Sequence, residues 1–334
     1  MTVLSSFNFN NTLFNSNNKT LAMPKGPTGS RPYAAVAAER QSGGQPAAFT
    51  SEKFAFDKFN LSKPLPKNVS LEANVSTFTV DWNCHQLNLS TTPPVQFSEE
   101  WQINASTTNN PGTACSKNIS QEIRLAGTDT DARAWINVTR CKDDEVGLLA
   151  TLWVPTRKDI WDLPKAGKSL GFFCNPRYSI GDASVKLNAS SGMITSYTIN
   201  YESFVDVNIQ TSMEATYAYL TNPNDSRFQT STTGPLEQLE LNQTVVRAAA
   251  HSFIYLTGID PFFASMTGRR LGNLSETYME NPEVFKSEVE TFASQIMVQV
   301  VSSFARVEDS TETRGLLTTI QPRIFIRQFT LRLL

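Results

Sequence analysis

The chain is poor in charge, histidine and cysteine, and it has no long apolar run. Charged residues make up 18% of its 334, below the usual quarter for a soluble domain. Its 29 basic and 31 acidic residues leave a net charge of −2. No basic block or basic stripe with interleaved aromatics occurs, so nucleic acid is not an expected partner and there is no general pull toward anionic membranes. The two histidines, His85 and His251, belong to no His-x-His or His-x-x-x-His set, which removes the usual metal-binding spacing. There is no Gly-x-Ser-x-Gly elbow, Walker loop or dinucleotide loop, so those hydrolase and nucleotide chemistries lack their signatures. A glycosidase pair is set by distance in space and leaves no motif. Its candidates would be Glu99, Glu100, Asp143, Asp144, Glu145 and Asp206. Adjacent Glu99 and Glu100 point to opposite faces if they lie on a strand, and Asp143–Glu145 reads as a solvated turn. No catalytic residue, metal site or cofactor is expected.

What is abundant is the triplet Asn-x-Ser/Thr. It occurs 13 times, at Asn10, Asn18, Asn60, Asn68, Asn74, Asn88, Asn104, Asn118, Asn137, Asn188, Asn224, Asn242 and Asn273. None has Pro at its middle position. With 25 Asn and 67 Ser plus Thr in the chain, chance gives about 5 such triplets. Each can receive a bulky, solubilising glycan inside the secretory pathway. Sugars would also make up for the shortage of charge. The expected location is therefore extracellular or luminal.

Cysteine usage agrees with that compartment. Cys84, Cys115, Cys141 and Cys174 are an even set without zinc-finger spacing, and they read as two disulfides. Three pairings are open. An entry signal is missing, however. The N-terminus MTVLSSFNFNNTLFNSNNKTL has no basic start and no apolar core, and no apolar stretch of membrane-spanning length occurs. The other end, PRIFIRQFTLRLL (322–334), mixes Arg323, Arg327 and Arg332 with apolar residues, as a strand leading into a membrane span would. The chain is thus expected to be a piece of a longer membrane protein.

Several segments resemble a family of uncharacterised filamentous-fungal membrane proteins that carry the domain of unknown function 3433. They are YAAVAAERQSGGQPAAFTSEKFAFDKFN (33–60), LWVP (152–155), LGFFCNPRYSIGDASVKLNASSGMI (170–194) and PRIFIRQFTLRLL. The resemblance implies a glycosylated ectodomain set between transmembrane helices. The first segment would be a lead-in, the third an aromatic-Cys-x-Pro-x-Tyr core strand and turn, and the last a stretch before a membrane helix. This chain departs from the family in lacking a span, which implies an incomplete gene model or a shortened relative. The resemblance supplies a topology and no activity. It leaves a cell-wall or protein partner, and a membrane neighbour at the C-terminus, as the expected contacts.

The pattern along the chain predicts an α+β fold: a disulfide-braced antiparallel β region followed by a helical region packed on it. Residues 1–48 read as a mobile Asn/Ser/Pro/Gly-rich arm, and Phe49, Phe54, Phe56 and Phe59 as a tether across the body. Residues 49–205 form the β-rich core, with strands expected at 75–90, 95–106, 133–141, 146–154, 169–174, 183–190 and 193–204. Residues 206–314 read as helical, with helices over 235–256 and from Pro282. The second has Asn281 as N-cap and a stripe of Phe285, Val289, Phe292, Ile296, Val300 and Phe304. Residues 315–334 read as a strand beside a membrane. One difficulty stands out. Cys84 shares strand parity with Asn88, and Cys141 with Asn137, although a buried disulfide and an exposed sugar are expected on opposite faces.

Overall fold

The computed structural model describes residues 2–14, 16–17, 20–21, 36, 39–40, 46–60, 69–92, 100–106, 119–124, 133–140, 146–155, 167–209, 266, 272–304 and 306–320. Thirteen strands and two helices are built from them. The strands are β1 (Thr2–Phe14), β2 (Ser16–Asn17), β3 (Thr20–Leu21), β4 (Phe54–Phe56), β5 (Lys58–Asn60), β6 (Val69–Thr92), β7 (Glu100–Ser106), β8 (Ile119–Arg124), β9 (Arg133–Arg140), β10 (Val146–Pro155), β11 (Gly167–Asn188), β12 (Ile194–Ile209) and β13 (Arg306–Ile320). The helices are α1 (Gly272–Glu280) and α2 (Pro282–Phe304). The fold is α+β: a mostly antiparallel sheet with a later helical region on it, braced by a disulfide between strands. The short β12–β3 pair is parallel.

The spine is the β6–β11 ribbon. Its register runs without a shift from Leu87↔Gly171 to Ser70↔Asn188. Along the other edge of β11, β10 pairs with 167–174 and β12 with 178–187. Along the other edge of β6 lie β13, then β4, then β7. Sequence periodicity placed two strands, 169–174 and 183–190, where the fold has one. The cause is Pro176, which reads as a break but sits inside β11 opposite Trp82. Cys84 and Cys174 face each other at a Cα–Cα separation of 4.0 Å, the short spacing of a non-hydrogen-bonded pair. Pro176, two residues on, shares that phase. Its missing N–H would point away from β6, into the gap where neither β10 nor β12 is paired, so no ladder bond is lost.

The same ribbon shows one way in which a buried cysteine and an exposed asparagine can share strand parity, at Asn74; the side chains of Asn88 and Asn137, and Cys141, lie outside the described residues. Leu71, Ala73 and Val75 are buried on one face with Ala183, Val185 and Leu187, under Phe54, Phe56 and Phe59. Beyond Thr77 the buried side changes. Phe78, Val80 and Cys84 turn to the other face with Phe172, Cys174 and Tyr178, under α2. We call these the arm face and the helix face. Each is covered along one part of the ribbon and bare along another. Asn74 is exposed on the very face that buries Cys84, ten residues and roughly 33 Å along the strand. A buried disulfide and a sugar acceptor can share a face when the strand is this long.

The aromatic arm packs as a tether should. Phe56 and Phe59 are essentially inaccessible, and each such side chain stabilises by about 1.5–3 kcal/mol when buried. Ala55, between the phenylalanines, faces the helix side. The arm is tied to α2 by a buried bond from Gln299 Nε2 to Thr50 Oγ1, 2.8 Å, and Ser294 Oγ donates to the Val80 carbonyl at 3.3 Å. These bonds let polar residues sit in the core. α2 starts at Pro282 as predicted, and the stripe from Phe285 to Val300 is buried. From Phe292 to Ser302, however, the helix is buried all round. A one-sided stripe therefore understates its cover.

Two expected regions contain strands that the sequence pattern did not indicate. Residues 1–48, read as mobile, contain β1, which pairs antiparallel with β13 from Thr2↔Ile320 to Phe14↔Arg306. In the same stretch Val36 is buried, and Arg40 lies 5.2 Å from the centre of the Phe292 ring. Residues 206–314, read as helical, open with the end of β12 and close with β13. β13 is polar over most of its length and carries no apolar alternation, whereas β1 does alternate at Phe7–Asn10 within an Asn- and Ser-rich stretch. β8 was missed for the same reason as β13. The expected helix over 235–256 lies outside the described residues, as does the segment 321–334.

Candidate recognition surface and glycan acceptors

The disulfide joins Cys84 of β6 to Cys174 of β11, and both are buried against α2. Cys115 and Cys141 lie outside the described residues. Glu290 of α2 reaches the same spot, and its carboxylate accepts the Cys84 backbone N–H. Burial pushes its carboxyl above the usual range, and neighbouring Glu283 adds to this. Lys286 and the Cys84 N–H pull the other way.

Eight of the 13 acceptor asparagines fall on described backbone, and two of them have described side chains. Asn74 is exposed in β6, opposite Ser184. Asn188 ends β11 opposite Ser70 and is partly exposed. Both lie on the helix face, at the end of the ribbon that α2 does not cover. Asn188 opens a tight turn in which the Gly192 N–H donates to the Asn188 carbonyl, 2.9 Å, and Gly192 takes a φ of 67° that favours glycine. Asn188 Oδ1 accepts from the Ser190 N–H at 2.9 Å and from Ser190 Oγ at 2.7 Å. Both bonds use the amide oxygen, so the nitrogen that would carry a sugar stays clear of them. Of the others, Asn10 faces Asn60 across β1 and β5, Asn88 faces Ser106, Asn104 faces Ser90, and Asn137 faces Leu149. Asn273 lies in α1. Asn18, Asn68, Asn118, Asn224 and Asn242 are outside the described residues.

The bare part of the arm face has a different chemistry. Between Ile180↔Val205 and Asp182↔Asn200, β12 sets residues 201–204 against the single residue Gly181. This bulge is pinned at both sides: the Asp182 N–H donates to Ser203 Oγ, and Ser203 Oγ donates to the Asn200 carbonyl, each at 2.7 Å. Phe204 folds over Gly181, where a Cβ would meet the ring at 2.6 Å. Tyr201 stacks on Phe204 with centroids 6.2 Å apart and planes at 27°, and it is 74% exposed. Tyr197 continues the aromatic row onto Phe54 and Phe56. On the other side of Phe204, Arg177 holds Asp206 in a two-point ion pair of 2.9 and 3.0 Å, and Ser179 Oγ donates to the same carboxylate at 3.2 Å. The bond to Asp206 and the charge of Asp206 hold the guanidinium protonated beyond its ordinary range.

Asp206 was the one carboxylate of the glycosidase candidates to fall on this surface, and its pairing makes it unsuited to donate a proton. Glu100 lies in β7, while Glu99, Asp143, Asp144 and Glu145 are outside the described residues. His85 is half-buried in β6, and His251 is outside them. Among the described residues no group of three or more His, Cys, Asp and Glu could hold a metal ion, and no helix is long and apolar enough to cross a membrane. Arg177, Ser179, Tyr197, Tyr201 and Phe204 went unnoticed in the sequence. Their signal is the loss of strict alternation at Tyr201–Phe204, where a bulge begins. Set against protein-family models, curated proteins and solved structures, the chain matches none.

Proposed function

We propose that this chain is a non-catalytic, N-glycosylated domain on the extracellular or luminal side of a fungal membrane protein, akin to those with the domain of unknown function 3433. The observation that carries this reading is the placement of Asn74 and Asn188. The two acceptors with described side chains both reach solvent on the uncovered end of one sheet face. A glycan there costs no buried contact. The strand-to-strand disulfide adds support, because such bonds persist in oxidising compartments. A soluble secreted hydrolase or wall-binding protein, and an intracellular protein with chance triplets, are the competing readings. Asp206 is engaged by Arg177, which weighs against the hydrolase.

The test is peptide N-glycosidase digestion of protein purified from its native host, followed by peptide mass analysis. The expected result is conversion of Asn74 and Asn188 to aspartate together with loss of apparent mass on a gel. Unmodified asparagines at both positions, with Cys84 and Cys174 reduced, would overturn the proposal.

A further inference from the structure

We infer that the bare strip of the arm face, from Arg177 to Tyr201, binds a neutral saccharide chain. This deepens the reading of an outward-facing domain and rests on it only for where such a sugar would be met. A soluble sheet normally covers its aromatics or leaves them at random. Here a bulge re-aims a segment, and two serine hydrogen bonds and a residue without a Cβ hold it so that a tyrosine ring stands out from the surface. One face of Tyr201 is taken by Phe204, and the ring as a whole is 74% exposed. A fixed, exposed ring presents a flat apolar platform to the C–H face of a pyranose, while its phenol bonds to hydroxyls.

The neighbouring polar groups narrow the occupant. Arg177 and Asp206 are both largely exposed, at 71% and 60%, yet they neutralise each other. Asp81, opposite Arg177 on the same face, adds a second carboxylate, so the strip offers hydrogen-bond donors and acceptors around one cation and two carboxylates. An anionic partner finds its cation already engaged by Asp206 and faced by Asp81. A hydroxyl-rich, uncharged partner can use both donors and acceptors. A peptide would more naturally add to a strand edge through its backbone, whereas these groups stand on the face of the sheet. At about 3.3 Å per residue, Arg177 to Gly181 covers roughly 13 Å, longer than one sugar ring, and the aromatic stack extends it further. The acceptors Asn74 and Asn188 lie on the opposite face, so glycans at those two positions leave the strip open, whereas Asn137, in register with Leu149 and Phe173, is on the strip's own face two strands away.

The experiment is isothermal titration of the purified glycosylated chain with a β-1,3-linked glucose hexasaccharide and a β-1,4-linked N-acetylglucosamine hexasaccharide. Saturable binding of at least one is expected. Affinity should fall about tenfold in Tyr201→Ala, the loss of one stacked ring, and fall less in Tyr201→Phe, which keeps the ring and loses only the phenol bond. Arg177→Met should weaken it as well. Because Tyr201 and Arg177 are exposed, the thermal midpoints of these variants should not move, which separates lost binding from lost fold. No binding of either saccharide at millimolar concentration, or undiminished binding by Tyr201→Ala, would overturn the inference. Binding by native protein with bare Asn74 and Asn188 and reduced Cys84 and Cys174 would instead overturn the glycoprotein reading and leave this one standing.

Discussion

Removing the Cys84–Cys174 bond is the sharpest test of how this sheet is held. The two residues are 90 apart in sequence. Closing a loop of that size in the unfolded chain costs entropy equivalent to about 4.6 kcal/mol on the chain-entropy account. Cys115 and Cys141 both lie inside the loop. Were they bonded to each other, the path would shorten, but the dependence is logarithmic and the figure would change by only about 0.3 kcal/mol. The folded state should survive, because β6 and β11 pair from Leu87↔Gly171 to Ser70↔Asn188 with or without the bond. Replacing both cysteines by alanine also removes two buried sulfurs, worth about 1 kcal/mol each. A total loss of about 6–7 kcal/mol is therefore expected in Cys84→Ala/Cys174→Ala. Urea unfolding followed by both circular dichroism and tryptophan fluorescence would measure it, with coincident curves establishing two-state behaviour. Because the effect acts on the unfolded chain, the m-value should rise as that chain expands. A loss below about 2 kcal/mol with an unchanged m-value would refute the loop argument.

Three further outcomes are expected. Burial pushes the carboxyl of Glu290 above its ordinary value. The stability it contributes is complete below that value and is lost as pH rises through the raised folded pKa. Glu290→Gln should accordingly raise the thermal midpoint at pH 7 and leave it unchanged near pH 4, with the Cys84 N–H still bonded to the amide oxygen. Asn188→Asp keeps an oxygen for both Ser190 bonds and loses any sugar, so its intrinsic stability should stay within about 0.5 kcal/mol. Asn188→Ala loses the bonds too and should cost about 1 kcal/mol by urea titration of unglycosylated protein. Gly181→Ala places a Cβ 2.6 Å from Phe204. It should cost about 1–3 kcal/mol and, by displacing the ring beneath Tyr201, abolish saccharide binding that a purely structural bulge would not affect.

Legibility in the sequence followed apolar patterning. β9 and β10 alternate or run apolar and stand within a residue of their expected bounds. The start of α2 was readable because Asn281, Pro282 and Glu283 each favour their place at a helix N-terminus. The aromatic arm was readable because four phenylalanines in eleven residues must find cover. β13 was not, since a polar strand is specified by its partner, and β1, which pairs with it, lies some 300 residues away in sequence. Pro176 concealed the continuity of β11, because a proline reads as a stop unless the absent neighbour on its N–H side is known. The glycan acceptors announce themselves by a triplet, but exposure is a property of the fold. The strip of Arg177, Asp206, Phe204 and Tyr201 has no motif at all, because two strands and a bulge assemble it.

The change of buried side within β6 explains why one sheet can present two different surfaces. A 24-residue strand spans roughly 80 Å, too long for one layer to cover. The phenylalanine arm covers the arm face around Leu71–Val75, and α2 covers the helix face around Phe78–Cys84. What remains bare is diagonal: the helix face at the Ser70–Ser76 end, and the arm face beside Arg177–Gly181. The first bears polar side chains and the acceptors Asn74 and Asn188, which suits a surface meant to be sheathed in sugar. The second bears an exposed aromatic stack and an ion pair. Since a strand sends successive side chains to opposite faces, no small shift of register can bring the two surfaces together. Glycans at Asn74 and Asn188 and a ligand on the other surface can therefore coexist in the same molecule.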